Sequence, residues 1–463
     1  MQTRKEKDSL GERAIPAGAY YGIQTDRAIE NFPISGLKPK SCYIDATVHI
    51  KKAAATVNKD LKELDSSIAD AIVTACDEIL SGQLREWFLV DVFQAGAGTS
   101  HNMNANEVIA NRAIELLGGN KGDYSIVHPN DHVNMSQSTN DVCPTAIRIG
   151  SVVLGQTLLT SLVNLEHTFS DKSGEFQDVL KSGRTHLQDA VPITLGQEFG
   201  AYAVCIRKHR EKIGIALDSN RELGIGGSAV GTGLNTHPLY RTKIVEVLGT
   251  QLGTDFRKAE DYFEAMQSLR PFVDLSGSIR SLAQDLIRIA NDLRLLSSGP
   301  KTGFAEISLP PLQPGSSIMP GKVNPVAAEM VDMVCFQVIG CDTTILLAAQ
   351  AGQLELNVMM PVVAYNLLHS IEILRNAIDV LTTRCIAGIT PDPVRCRSYA
   401  EASMSIVTVL NPRLGYTVAA EIAKEYLASG KSIRQIILER ALMNAEELDK
   451  LLDLQKMIEP GIN

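Results

Sequence analysis

Apolar residues recur at three- and four-residue spacing through most of this chain, the period of helices with one buried face. Five stretches keep that period long enough to predict long helices, at 145–169, 194–218, 266–296, 326–349 and 358–387, the last with a break expected near Pro361. Long helices in succession predict a bundle. Aromatic residues are only 5% of the chain and Ala and Leu are frequent, which favours helix over sheet. The fourth stretch reads VAAEMVDMVCFQVIGCDTTILLAA and is apolar nearly all round. Such a helix needs cover on every face. Five helices of one chain cannot provide it throughout, so bundles from several chains are expected to pack into a homo-oligomer of dihedral symmetry.

Up to residue 137, loops alternate with shorter helical patterns at 45–64, 66–81 and 104–117. After the turn Thr390-Pro391-Asp392-Pro393 a tail carries short ones, among them SIRQIILER and NAEELDKLLDL. The expectation is a mainly α fold in three sections. An N-terminal, mostly helical domain spans 1–137, a central long-helix bundle domain 138–390 and a small C-terminal helical domain 391–463. A length of 463 residues suits about three units.

The net charge of −9 opposes attraction to phosphate backbones and anionic bilayers, so neither nucleic acid nor membrane is expected as a partner. No uninterrupted apolar run approaches the ~18 residues of a membrane span. Residues 1–13 are charged and lack the apolar centre of a secretory signal, so a cytoplasmic location is expected. The eight cysteines (Cys42, Cys76, Cys143, Cys205, Cys335, Cys341, Cys385 and Cys396) are scattered, without a CxxC pair. They read as reduced, packed thiols with no disulfide or metal use.

Polar side chains concentrate at four places near predicted helix starts. The first is Gly315-Ser316-Ser317-Ile318-Met319-Pro320-Gly321-Lys322-Val323-Asn324-Pro325. Its glycines loosen a loop, and Asn followed by Pro is a strong helix start, with Asn324 as the expected N-cap. Free N–H groups there, with Lys322, suit a carboxylate. The second is Ser136-Gln137-Ser138-Thr139-Asn140-Asp141, where capping explains one residue but not six. The third is Gly183-Arg184-Thr185-His186-Leu187-Gln188-Asp189, with a histidine able to handle protons near neutrality. The fourth is the glycine-containing run before Thr99-Ser100-His101-Asn102. Together these clusters describe a pocket for a small dianion, with proton abstraction and charge stabilisation as its chemistry.

No GxSxG, HExxH or P-loop lysine is present, which disfavours acyl transfer, metal hydrolysis and phosphoryl transfer. Gly224-Ile-Gly226-Gly-Ser-Ala229 matches a dinucleotide fingerprint in letters only. The fingerprint must follow a strand and open a helix, whereas the residues before it read as helix.

With these residues in view, the chain resembles the fumarase/aspartase superfamily. GSSIMPGKVNP at 315–325 is similar to its signature loop, and HPNDHVNMSQSTND, GRTHLQDAVPITLGQEF, GGSAVGTGLNTHP and GQLELNVM to its other shared blocks. The likeness extends from EKDSLGERAIPAGAYYGIQT to SGKSIRQIILERALM, nearly the whole chain. SQSTND with Thr139, the run around Gln353 and Asn357, and the tail favour the aspartase branch over class II fumarate hydratase, the alternative. His101 and Met360 depart from the branch pattern.

The resemblance implies a homotetramer whose sites are each shared among three subunits, and reversible anti elimination of ammonia from L-aspartate to give fumarate, without an organic cofactor or metal. It implies Ser316 as the base, with His186 and Glu329 supporting catalysis. Thr99, Ser138, Thr139 and Ser317 would hold the carboxylate beside the reacting carbon; Thr185, Lys322 and Asn324 would hold the other. Asn140 and His186 would hold the amino group, and Glu329 would orient His186.

Overall fold

The computed structural model describes residues 2–461, so Met1, Ile462 and Asn463, which belong to the expected terminal sections, lie outside the described residues. The five long helices are present, at Thr139–Glu175, Leu195–Asp218, Arg270–Leu296, Val326–Gln350 and Met360–Arg384. Their starts differ from the expected ones where proline decides. Pro271 and Pro361 do not break helices but occupy first turns, where a missing N–H costs nothing. The residues before Arg270 instead form a short separate helix, Tyr262–Gln267, capped by Asp261. Pro144 sits inside the first long helix, which begins six residues earlier than its apolar pattern.

Short strands also occur, unannounced by the helical period. Thr3–Asp8 pairs antiparallel with Gly11–Pro16, Thr3 opposite Pro16. Both carry charged residues at successive positions, so no apolar alternation marks them. Leu180–Thr185 pairs antiparallel with Gln188–Thr194. The C-terminal helices follow their caps: Ser432 and Gln435 form a complete capping box for Ile433–Glu439, and Asn444 caps Ala445–Leu451.

The chain divides into two compact units. The first comprises Met1–Thr160, His209–Ala283 and Val334–Arg375, the second Ser161–Lys208, Gln284–Met333 and Asn376–Asn463. The boundaries fall within the five long helices. Sections read from loops follow chain order, whereas compactness groups helix segments by what they touch.

In the first unit Ile44, Val48 and Ala55, one face of the helix Ser41–Asp60, pack with Ile72, Ile79, Val108, Ile109 and Ile114. Each fully buried Ile or Val contributes about 1.5–3 kcal/mol. In the second, Leu180 joins Ala400, Leu410, Ile422, Ile436 and Leu448.

By length and composition, Thr139–Glu175 and Val326–Gln350 are apolar enough to cross a membrane, although neither contains an uninterrupted apolar run of that length. In the second, Met333 (63%), Phe336 (59%), Leu346 (53%) and Leu347 (55%) face outward.

Gly196, in the first turn of Leu195–Asp218, allows a backbone-to-backbone approach. A Cβ there would lie 2.5 Å from the Ser173 oxygen and 2.7 Å from Gln177 Cα. The contact is closed by Ser173 Oγ donating to the Gly196 carbonyl at 2.7 Å and the Gly196 N–H donating to Phe176 O at 3.0 Å. Gly196→Ala is therefore expected to cost about 1–3 kcal/mol through overpacking, read as a lower urea midpoint with unchanged slope. An unchanged midpoint would show that the helix start can move away freely.

Candidate active site

In the first unit the site elements are helix starts. Thr99 is the first residue of Thr99–Leu116, and Gly98 before it has φ +91. A Cβ on Gly98 would meet Cys143 Sγ at 2.7 Å, so only glycine brings this turn against the helix carrying Cys143. Thr99 is exposed.

Ser138 opens the helix Thr139–Glu175. Its Oγ accepts the Asn140 N–H at 3.2 Å, while Asp141 Oδ1 reaches back to the Ser138 N–H at 2.8 Å, a reciprocal cap. Asp141 Oδ2 takes the N–H groups of Gly226 and Ser228, both at 2.9 Å. Burial pushes this carboxyl up to about 6 while the backbone N–H groups of Ser138, Ser228 and Gly226 oppose the rise. Ser138 and Asp141 thus do the capping, and Thr139 and Asn140 are left for other work. Asn140 Nδ2 donates to Ala229 O at 2.8 Å, which turns its Oδ1 away from that contact.

The dinucleotide-like run is accounted for here. It follows a two-residue strand, Glu222–Leu223, and opens no helix before Tyr240. Its glycines serve a packed loop: Gly226, Gly231 and Gly233 have φ of +89, +114 and +70. Arg241 ties it down through Gly226 O at 3.0 Å and Gly231 O at 2.7 Å.

Beneath Thr139 lies a polar group of which the sequence clusters marked Asn102 but not Lys51. Asn102 Nδ2 donates to Thr139 Oγ1 at 3.2 Å, and the fully buried Lys51 donates to Asn102 Oδ1 at 2.8 Å. Burial pulls the Lys51 ammonium down to about 7. The visible signal was Lys51 falling on the apolar stripe of Ile44, Val48 and Ala55. His101 is core: fully buried, it stacks on Tyr43 at 4.3 Å and pairs through Nε2 with Thr47 Oγ1 at 2.9 Å. Met360 is likewise buried.

In the second unit, His186 and Leu187 form a two-residue hairpin tip, both with φ +56. That turn normally takes Asn-Gly, so His and Leu there are strained. Strain of this kind persists when the surroundings impose it. Arg184 donates to Glu306 Oε1 at 2.8 Å, and Lys181 donates to Glu198 Oε2 at 2.7 Å and lies 3.1 Å from Glu306 Oε2. The Glu306 side chain is wholly buried. Thr185 and His186 are exposed beyond this anchor.

The 315–325 loop folds on itself. Gly315 has φ +84, and a Cβ there would lie 1.7 Å from Lys322 O. The Ser316 N–H donates to that same carbonyl at 3.3 Å. Ser316 Oγ accepts two backbone N–H groups, from Ile318 at 3.3 Å and Met319 at 3.1 Å. Ser317 and Lys322 are exposed. The helix Val326–Gln350 starts on the Pro325 carbonyl, which accepts from Glu329 N at 3.1 Å. Among the described residues the Asn324 side chain makes no hydrogen bond, so the side-chain cap expected of it is not formed. Likewise no hydrogen bond or ion pair joins Glu329 to His186 within the chain, and none joins the hairpin tip to the 315–325 loop. Within the first unit the structure thus joins the helix that Thr99 opens to Thr139 through Asn102, and within the second, among the described residues, no hydrogen bond or ion pair joins Thr185 or His186 to the 316–329 segment.

A family model described as lyase matches residues 11–340, and one described as fumarase C C-terminus matches 406–459. The aspartate ammonia-lyase of Bacillus subtilis (strain 168) is 50% identical over 99% of this chain and 97% of its own length. That of Escherichia coli (strain K12) is 47% identical over 99% and 96%. The chain belongs to the fumarase/aspartase superfamily. Among solved members, the fumarate lyase:delta crystallin from Brucella melitensis bound to cobalt superposes with a TM-score of 0.95 at 49% identity, covering 99% of this chain and 100% of that one. A recombinant class II fumarase from Schistosoma mansoni gives 0.96 at 37%, covering 98% and 99%. Within the superfamily this chain is a carbon–nitrogen lyase that groups with the aspartases, as Thr139 and the 353–359 run indicated.

Asp141 braces the 138–141 turn. Asp141→Asn puts an NH₂ group against buried backbone N–H donors, at about 1–3 kcal/mol for each one left unpaired. The expected outcome is a lower melting temperature together with lost activity, measured on the same preparation. Full activity at unchanged stability would show that the 138–141 turn stands without it.

Proposed function

We propose that this protein catalyses the reversible anti elimination of ammonia from L-aspartate to give fumarate, with Ser316 as base. The observation that carries the reading is the pair of backbone N–H groups on Ser316 Oγ. A serine hydroxyl is a poor base at neutral pH and acts only as an oxyanion. Fixed N–H donors lower the cost of that charge without reorganising. Lys322, six residues on in the same loop, adds positive charge when the loop closes and water leaves.

In the proposed step the C3–H proton passes to Ser316 Oγ, and its electron pair moves into the neighbouring carboxylate as a doubly charged aci-carboxylate. Collapse of that intermediate forms the C2–C3 double bond, and the C2–N bond breaks with its pair leaving on ammonia. Thr99, Ser138, Thr139 and Ser317 supply donors to the intermediate. Thr99 and Ser138 stand at helix starts, where the dipole favours negative charge. Thr185, Lys322 and Asn324 bind the other carboxylate, and the uncapped Asn324 amide is free to do so. Asn140 and His186 receive the amino group; with Nδ2 committed to Ala229, Asn140 offers an oxygen, which suits an ammonium. Glu329 orients His186 across a subunit boundary in this reading, since the two do not meet within a chain.

The same reading assigns the three groups of residues to three chains of a homotetramer whose core is the 138–390 section, flanked by 1–137 and 391–463. The exposed apolar residues of Val326–Gln350 support this, as does a cleft of about 510 Å³ lined by Phe32, Ile34, Phe93, Val358 and Met359.

Ser316→Ala should lower kcat about a thousandfold with little change in substrate binding, whereas Lys322→Ala should chiefly raise KM. Unfolding and refolding Ser316→Ala with His186→Ala should restore roughly a quarter of the sites, because a shared site draws the two residues from different chains. A Ser316→Ala enzyme with a third of its activity would remove the base assignment, and mixed tetramers without recovery would remove the shared site.

The substrate is tested by following fumarate absorbance from L-aspartate and from L-malate. Polar groups arranged for ammonia are mismatched to hydroxide, so kcat/KM should be at least about a hundredfold lower with malate. Efficient malate dehydration without ammonia release from aspartate would give the hydratase reading instead.

A further inference from the structure

Lys51 is an anomaly of placement. It is fully buried on the apolar face of Ser41–Asp60, and no carboxylate lies within hydrogen-bond distance of its ammonium. An unpaired buried cation is costly to hold, and its neighbours show what holds it. An ammonium has three N–H donors and no acceptor. Here all three are used, on Asn102 Oδ1 at 2.8 Å, Asn134 Oδ1 at 2.8 Å and Gln137 Oε1 at 3.0 Å.

A group that can only donate fixes which way each amide points. Gln137 must turn its NH₂ away, and it donates to Val133 O at 3.0 Å and Met135 O at 3.1 Å, bracing the turn that precedes Ser138. Asn102 must likewise turn its NH₂ away, and it donates to Thr139 Oγ1 and to Asn134 Oδ1, each at 3.2 Å. The consequence falls on Thr139. Its hydroxyl has one proton; with a lone pair taken by Asn102, that proton cannot point at Asn102. It is left for another acceptor, and Thr139 is partly exposed.

We infer that Lys51 is a positioning residue which, through Asn102, fixes the Thr139 hydroxyl as a hydrogen-bond donor toward the substrate carboxylate. This rests on the reading of Thr139 as a carboxylate ligand. Without the ammonium the Asn102 amide is free to rotate, present its oxygen to Thr139 and draw the hydroxyl proton inward. Lys51 itself touches no substrate. Its effect belongs to the charged intermediate more than to the ground state, so kcat carries most of it.

The test is a pair of double-mutant cycles. Lys51→Met and Asn102→Leu are each made alone and together with Thr139→Val, with tetramer content and circular dichroism checked first. Each single variant, Thr139→Val included, should lower kcat/KM by roughly ten- to a hundredfold, the weight of one hydrogen bond to a charged group. In the Thr139→Val background neither further change should lower it again, because the hydroxyl they orient is gone. A merely structural role would multiply the losses instead, and multiplied losses overturn the inference while leaving the site reading intact. Wild-type kinetics in Thr139→Val would instead overturn the site reading, and the inference with it. Should Lys51→Met fail to fold, the Asn102→Leu cycle decides alone, since that variant keeps the lysine and two of its acceptors.

Discussion

Three backbone N–H groups converge on one buried carboxylate, that of Asp141, and the placement of Thr139 and Asn140 depends on this. A helix start leaves N–H groups without intrahelical partners, and a buried one must find an acceptor. Asp141 provides it for Ser138 and takes two more donors from the 226–228 loop, so the start of Thr139–Glu175 and the glycine loop are held by a single group. Because Asp141 does this, Thr139 and Asn140 need not. The loop reaches it through residues at positive φ, Ser228 among them and the others glycines, and a Cβ on Gly233 would lie 2.9 Å from Gly226 O.

The second unit solves the same problem with charge. Its hairpin tip places His186 and Leu187 in a conformation that costs both of them, and the strands behind are anchored by Glu306 between Lys181 and Arg184. Such a buried set is weak evidence for stability, because desolvation offsets most of the attraction. What it supplies is geometry: Glu306 is held from two sides, by Lys181 and Arg184, and Lys181 also by Glu198. The exposed tip is therefore carried on a base that cannot shift without leaving a charge unpaired.

The long helices were legible because their apolar period persists over many turns, and the error lay at their ends, where Pro271 and Pro361 start helices that periodicity alone placed earlier or saw as broken. The Thr3–Pro16 hairpin was illegible: its strands read TRKEKD and GERAIP, with too few apolar residues to show a period of two. The 315–325 loop and the SQSTND turn were legible because they carry more hydroxyls and amides than capping requires. Ser136–Asp141 shows why that count matters, since the structure spends Ser138 and Asp141 on the cap, Gln137 on Lys51 and Ser136 on Asn58, and leaves Thr139 and Asn140 partly exposed. Asn324 illustrates the reverse error. It looks like a cap and makes none. Lys51 escaped, and so did its link to Asn102 of the fourth cluster, because their importance lies in which way an amide points, a property that appears only when three distant segments meet.

The 315–325 loop exposes apolar side chains beside the serine proposed as the base. Ile318 is 83% exposed, Met319 48% and Val323 50%, an unusual display for residues flanking the polar group proposed as the base. Ile318 and Met319 are also the residues whose N–H groups reach Ser316 Oγ. In the proposed reaction the loop has to close over a dianion and exclude water, and polar side chains alone would oppose that, because each would have to give up solvent. Apolar ones favour it, at about 25 cal/mol for each Å² they bury. The same two residues then supply the drive for closure and the donors for the oxyanion. Water loss strengthens those hydrogen bonds as the apolar contacts form. In the proposed mechanism, coupling the two on adjacent residues would make Ser316 basic only when the site is dry, protecting a strong base from being quenched by solvent before substrate is in place.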